Sequence, residues 1–316
     1  MIFKFNLISK YREELMGYAI FGVLVSHLLM WLDIKIPGVN MALRLIYTQG
    51  FLFLSGFGLY YSLSKSSEIL PFYKRRVKRL YIPFALMAFI PFLIRALQFE
   101  GSVSNFFSYI TTAYFWIHGN YNYWGMWYVA VSIMLYLAYP FLHKFIFFSN
   151  KKIVLRSVVC FVLAVAFFET LKYTPYYETF GFWLQKAIVF PMGALCGYLS
   201  KNNALVKLSS LSVFFVIAAI LVVVTHNYDS NYYDISKSCL ALPVMCLLFE
   251  RFSFGKFRVF LSWFGRLSLE LYVIHCIMYK LMMNYFSNHI SIVIAYSSAL
   301  VLSPVLHKAF DKLMGK

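Results

Sequence analysis

Ten stretches of roughly twenty predominantly apolar residues follow one another along the chain. They lie near 15–33, 43–63, 80–97, 124–147, 153–171, 182–200, 208–226, 236–250, 257–280 and 290–308. An α-helix rises about 1.5 Å per residue, so about 20 such residues cross the ~30 Å hydrocarbon core of a bilayer. Within that core each backbone N–H and C=O must be bonded inside its own segment, which an α-helix achieves. The expected fold class is therefore all-α: a polytopic transmembrane bundle of about ten helices. It forms one domain over 1–316, with connections too short for a separate soluble domain. Only 13% of residues are charged, against about 25% in a soluble domain. The run from Met16 is too long for a signal peptide and no small-residue cleavage site follows it, so it reads as the first span.

A formal net charge of +17 suggests nucleic acid at first sight, but the basic residues stand at the ends of apolar runs and form no patch. With the N-terminus inside and ten crossings, 22 of the 29 Lys and Arg fall on the inner side. The seven on the outer side are Lys35, Arg44, Arg95, Lys172, Lys186, Lys237 and Lys280. Inner loops retain Lys and Arg, and an odd number of helices would scramble the asymmetry. Both termini are accordingly expected in the cytoplasm. The cysteines Cys160, Cys196, Cys239, Cys246 and Cys276 lie in or beside apolar runs without a CxxC pair. They read as reduced and structural, with neither a disulfide framework nor a zinc site.

Polar residues inside the runs are the candidates for function. His27 sits ten residues into the first helix, about 15 Å deep. A residue of this type at that depth faces a bundle interior or a watery cavity; a neutral imidazole bonded to a neighbouring helix is the plain alternative. Ser26 beside it reads as a packing hydroxyl. In "FLFLSGFGLYYSL", Ser55, Gly56 and Gly58 thin the second helix for close approach of a backbone or a ligand. In "PFYKRRVKRLYIPF", Arg75 and Arg79 are four apart on one helical face with Arg76 beside them. Such arginines clamp phosphates by forked hydrogen bonds, although topology and anionic lipid also account for the run. Trp127 and Tyr128 open "WYVAVSIMLYLAYP" after the aromatic-rich "YFWIHGNYNYWGM". Most of these aromatics are expected in a boundary belt, with stacking on sugar rings, and hydroxyl contacts from Asn120 and Asn122, as the functional reading. In "GRLSLELYVIH", Ser268, Tyr272 and His275 share one face. Glu270 lies opposite, suited to a polar interior or to pairing with Arg266. No HExxH, GxSxG or P-loop is present, so neither a bound catalytic metal nor a serine hydrolase is indicated.

In their order and spacing these stretches, together with "LMGYAIFGVLVSH" and "AIVFPMGALCGYL", resemble the acyltransferase type 3 family of polytopic membrane enzymes, over nearly the whole chain. The resemblance implies transfer of an acyl group, commonly acetyl, from acyl-CoA (acetyl-CoA) to a hydroxyl. The acceptors it implies are cell-envelope glycans or lipid-linked sugars, at a bacterial plasma (inner) membrane. Acyl-CoA would be a donor substrate, with no permanently bound cofactor; the other partner is membrane lipid, and nucleic acid is not one. His27 matches the family's essential histidine and would be the general base. Arg75, Arg76 and Arg79 match its basic run and would hold the CoA phosphates; Ser55, Trp127, Tyr128, Glu270, Tyr272 and His275 are further substrate-binding candidates. The family often carries an arginine eleven residues before the histidine, where this chain has Met16. Arg12, one turn earlier, either substitutes for it or marks a differently oriented histidine. The competing readings are a transporter or flippase, for which neither repeat symmetry nor matched broken helices are seen, and a glycan polymerase, for which the outer connection 98–123 is modest.

Overall fold

A computed structural model describes residues 2–314 apart from 37, 66, 67, 150, 227 and 253; the side chains at 40, 41, 120–122, 208, 209, 211 and 214 are likewise outside the described set. Each of the ten apolar runs falls on helix. In chain order these are α1 (Arg12–Trp31), α2 (Tyr47–Lys65), α3 (Ile69–Phe99), α4 (Trp127–Phe147), α5 (Ile153–Leu171), α6 (Tyr177–Lys201), α7 (Leu208–Thr225) and α8 (Ser230–Arg251), then α9 (Gly255–Arg266), α10 (Ser268–Met282) and α11 (Asn288–Leu313). Seven helices among the described residues are long and apolar enough to cross a membrane. With large apolar side chains such as Phe141, Val223 and Val301 facing outward, this is an integral membrane protein.

Two features depart from the expected layout. The ninth run, 257–280, is two helices. The chain breaks at Leu267 (φ −91°, ψ 10°), so Arg266 ends one helix and Ser268 begins the next. Gly265 precedes the break, and a Cβ there would meet the Glu13 carbonyl oxygen at 2.0 Å. The second departure is a short antiparallel pair, β1 (Ile2–Lys4) with β2 (Leu205–Lys207), in the register Phe3 to Val206. It brings Lys4 and Lys207, both assigned to the inner side, to one end of the bundle.

Backbone-to-backbone crossings hold the bundle. Gly17 lies against Leu261 O, and the α2–α6 crossing pairs Gly56 with Phe190 O and Gly193 with Phe53 O, each within 2.2 Å of where a Cβ would stand. Gly193 and Gly197 are four apart on α6, the small-residue spacing that lets membrane helices touch. Gly56 is thus a packing residue, whereas Gly58 faces the Arg12 guanidinium, 3.2 Å from a Cβ position.

The expected aromatic belt before α4 is corrected. Phe115, Tyr123, Trp124 and Trp127 are buried in the main core, with Trp127 only 5% exposed. Two short helices, Val103–Ile110 and Ala113–Asn122, fold the connection before α4 back over the bundle, so Phe115, Tyr123 and Trp124 find apolar partners inside the protein.

Candidate active site

α1 is 20 residues long, about 30 Å, and a cavity lies at each end of it. The one at its N-terminal end, called inner after the orientation expected from the basic residues, is about 500 Å³ and is lined by Arg12, Arg76, Arg79 and Arg266 with Glu13, Glu270 and Asp311. The outer cavity, about 560 Å³, is lined by His27, Trp31, Trp124, Trp127 and Trp183 among others. Val23, Thr48 and Tyr272 line both and form the partition between them.

The arginine arrangement differs from the one the spacing suggests. A π-turn, Val77–Tyr81, follows Arg76 inside α3. Arg76 and Arg79 line the cavity, and Arg75 lies outside the lining, donating to the Ser62 carbonyl at 3.3 Å. Arg12 joins them from α1 at the same cavity as Met16. The Nε atoms of Arg12 and Arg76 are buried without a hydrogen-bond partner among the described residues. Nor do ion pairs join Arg12, Arg76, Arg79 or Arg266 to a carboxylate in that set. Four arginines against the three carboxylates Glu13, Glu270 and Asp311 leave this cavity a positive excess with orphaned donors, which an anion would answer.

His27 meets His275 on α10, with Nδ1 of the first 2.9 Å from Nε2 of the second. His275 Nδ1 stands 2.6 Å from the Leu271 carbonyl oxygen. A carbonyl can only accept, so Nδ1 of His275 carries the proton. With His275 neutral, its Nε2 lone pair then accepts from His27 Nδ1–H. His27 is left with a lone pair on Nε2, the state a general base requires. Trp31 buttresses the pair, with ring centroids 5.4 Å from His27 and stacked at 3.6 Å on Tyr279. Cys276 Sγ lies 3.3 Å from His275 Nε2, and the donor atoms of His27, His275 and Cys276 all fall within 4.8 Å of one another. The 2.9 Å nitrogen separation is that of a hydrogen bond, whereas two nitrogens about 2.0–2.1 Å from one tetrahedral zinc stand roughly 3.3 Å apart.

The remaining candidates divide between the cavities. Ser55 and Tyr128 line the inner one with their hydroxyls 3.5 Å apart. Glu270 lines it too and is bonded by His307 Nδ1 at 2.9 Å rather than by Arg266. Tyr272 belongs to the partition and donates to the Gly125 carbonyl. That carbonyl is aimed by two successive left-handed residues, Trp124 (φ 53°) and Gly125 (φ 79°), a conformation unusual for tryptophan and frequent at functional sites. Trp127 lines the outer cavity, 5.4 Å centroid to centroid from Trp183. Ser26 lines it as well, in place of a purely packing role. The side chains of Asn120 and Asn122 lie outside the described residues. Sequence reasoning leaves Cys276, Lys186 and Trp183 out of the site; the available signals are the adjacency of Cys276 to His275 and a lone lysine inside an apolar run. All five cysteines are free.

Among curated proteins and among solved structures, no match to the chain is found. The model of a family described as an acyltransferase domain matches residues 17–308 of the 316. With the match covering nearly the whole helical bundle, the chain belongs to this acyltransferase family, the acyltransferase type 3 family of membrane proteins.

Proposed function

We propose that the protein moves an acyl group, most simply acetyl, from acyl-CoA to a hydroxyl of a sugar-containing acceptor such as an envelope glycan. CoA phosphates occupy the inner cavity against Arg12, Arg76 and Arg79. The acceptor occupies the outer cavity, where aromatic faces suit a sugar ring. The pantetheine arm reaches the partition, so the thioester carbonyl meets the acceptor hydroxyl beside His27. His27 Nε2 takes the hydroxyl proton as the oxygen attacks the carbonyl carbon. The tetrahedral intermediate collapses with cleavage of the C–S bond, the proton passes to the sulfur, and the products are an ester and free CoA thiol. On this reading the inner cavity faces the cytoplasm of a bacterial inner membrane, and both termini lie on that side.

The observation that carries the reading is the chain Leu271 carbonyl, His275, His27, which leaves a basic nitrogen between a cationic cavity and an aromatic one. The test is thiol release from acetyl-CoA by membranes holding wild type or His27→Ala, supplied with envelope glycan extract. Release by wild type alone, with acetyl recovered on a glycan, is the expected result. Equal release by the two proteins overturns the role of His27, and an absence of acyl-CoA binding turns the reading toward a transporter, which cavities at both ends also suit.

A further inference from the structure

The outer cavity holds more positive charge than its carboxylates answer. Lys186 on α6 is 5% exposed, and it lines the same cavity as His27. Its Nζ donates to the Asn231 side-chain oxygen at 2.5 Å and stands 4.8 Å from the centroid of the Phe182 ring. An ammonium has three donors, and a neutral amide with a ring face does not neutralise it. No ion pair joins Lys186 to a carboxylate among the described residues. The two carboxylates that act on it are already taken: Asp234 binds Arg44 at 2.8 Å and Lys237 at 2.8 Å, and Asp229 binds Lys172 at 2.7 Å. Arg44 also lines the cavity, and its Nε is buried without a partner among the described residues. The other lining charges, Asp33, Lys35 and Lys280, stand at the exposed rim and sum to one more positive charge. Burying Lys186 without a counter-charge is costly, and a cavity whose lining holds it together with Arg44, which is half-exposed and shares its carboxylate with Lys237, is suited to an anion.

Resting on the acyl-transfer reading, we infer that the acceptor is an acidic sugar, whose carboxylate or phosphate binds Lys186 and Arg44 while a hydroxyl of the same molecule is presented to His27. The four tryptophans lining this cavity supply the faces for the ring, and its volume of about 560 Å³ falls in the range of small-ligand sites.

The test needs no acyl donor. Detergent-purified full-length protein is titrated with glucuronate, glucose 1-phosphate and glucose, read by intrinsic tryptophan fluorescence. A hydrogen bond to a charged group discriminates by about ten- to a hundredfold. At least one charged sugar should therefore bind tenfold or more tightly than glucose, glucuronate pointing to a carboxylate acceptor and glucose 1-phosphate to a phosphate. Lys186→Met should remove that preference and Lys186→Arg should keep most of it. If Lys186→Met fails to fold, Arg44→Gln carries the comparison and should weaken the charged sugar alone. Equal binding of all three sugars overturns the inference, as does a preference that survives both Lys186→Met and Arg44→Gln. Inorganic phosphate that reproduces the full response of glucose 1-phosphate also overturns it, because the site then reads a free anion and not a sugar. Failure here leaves acyl transfer standing, whereas absence of thiol release from acetyl-CoA strikes the acyl-transfer reading whatever the sugars do.

Discussion

Replacing His275 by leucine should slow acyl transfer without dismantling the site, because the proton on His27 is placed by one strong acceptor, the sulfur of Cys276 at 3.8 Å being only a weak one. In the native arrangement His275 Nε2, 2.9 Å away, accepts from His27 Nδ1–H. Leucine offers no lone pair. An Nδ1–H left unpaired in the buried space costs about 1–3 kcal/mol, which favours the tautomer protonated on Nε2 by roughly 5- to 150-fold. That tautomer has no basic nitrogen facing the acceptor, so kcat should fall by the same factor while KM for acyl-CoA holds. His27→Ala should cost more, about 10²–10⁴-fold, the range of general-base catalysis. His275→Gln, which keeps an acceptor oxygen, should recover part of the loss. The decisive comparison is the double variant: if His275 acts through His27, adding His275→Leu to His27→Ala should cost nothing further. Two losses that multiply would refute the relay and leave His275 as packing alone. The assay is thiol release from acetyl-CoA under saturating acceptor.

Three further outcomes follow from the geometry. Arg76→Gln should raise KM for acetyl-CoA about ten- to a hundredfold with kcat little changed, on the scale of one charge-assisted hydrogen bond, whereas Arg75→Gln, outside the cavity lining, should change it little; initial-rate kinetics separate the two. Gly193→Val puts a Cβ 2.0 Å from the Phe53 carbonyl oxygen, so the α2–α6 crossing must open at a cost of about 1–3 kcal/mol or more, visible as a lowered midpoint in thermal unfolding of the solubilised protein. Burial alone would raise the Asp229 carboxyl, but Lys172 at 2.7 Å and the backbone amides of Tyr232 and Asn231 outweigh it and hold it below its ordinary value. Its stabilisation is complete above the unfolded carboxyl pKa of about 3.9 and fades as pH falls through the lower folded value, so the melting advantage of wild type over Asp229→Asn should shrink below about pH 4; an advantage unchanged there would contradict the pairing.

What the sequence makes legible is set by the range of the physics. Apolar runs and basic flanks are local, and so the helices and the clustering of Lys and Arg at their ends are readable from the chain itself. The break at Leu267 is less so: no proline marks it, and only Gly265, pressed against α1, hints that two helices meet there. The arginine run is legible as a run, but which of its members turn to the cavity is not: Arg76 and Arg79 line it and Arg75 does not, a choice made by the packing of α3 against its neighbours. The His27–His275 contact joins residues 248 apart and belongs to tertiary packing. His27 is conspicuous as a polar residue in an apolar run, but its tautomer depends on a partner and on the Leu271 carbonyl behind that partner. The aromatics before α4 have the composition of a boundary belt, yet Phe115, Tyr123 and Trp124 are buried because two short helices fold them inward.

α1 and α10 run in the same direction through the bundle, and each carries one half of the chemistry at the same depth. α1 leads from Arg12 in the inner cavity past Val23 to His27 in the outer, 15 residues or about 22 Å. α10 leads from Glu270 past Tyr272 to Cys276 and Lys280. The partition at Val23, Thr48 and Tyr272 therefore separates a compartment suited to a bulky polyanion from one suited to a sugar, and neither of those groups needs to pass it. Only a thin, flexible arm carrying a thioester has to reach it, and an arm anchored by phosphates at Arg12 would meet His27 near the far end of its reach. An outward-moving transporter needs a path wide enough for its cargo and gains nothing from a fixed base beside the constriction. A protein that passes an acyl group between molecules held on opposite sides needs a narrow passage and a base at its exit, and the lone pair on His27 Nε2 stands there.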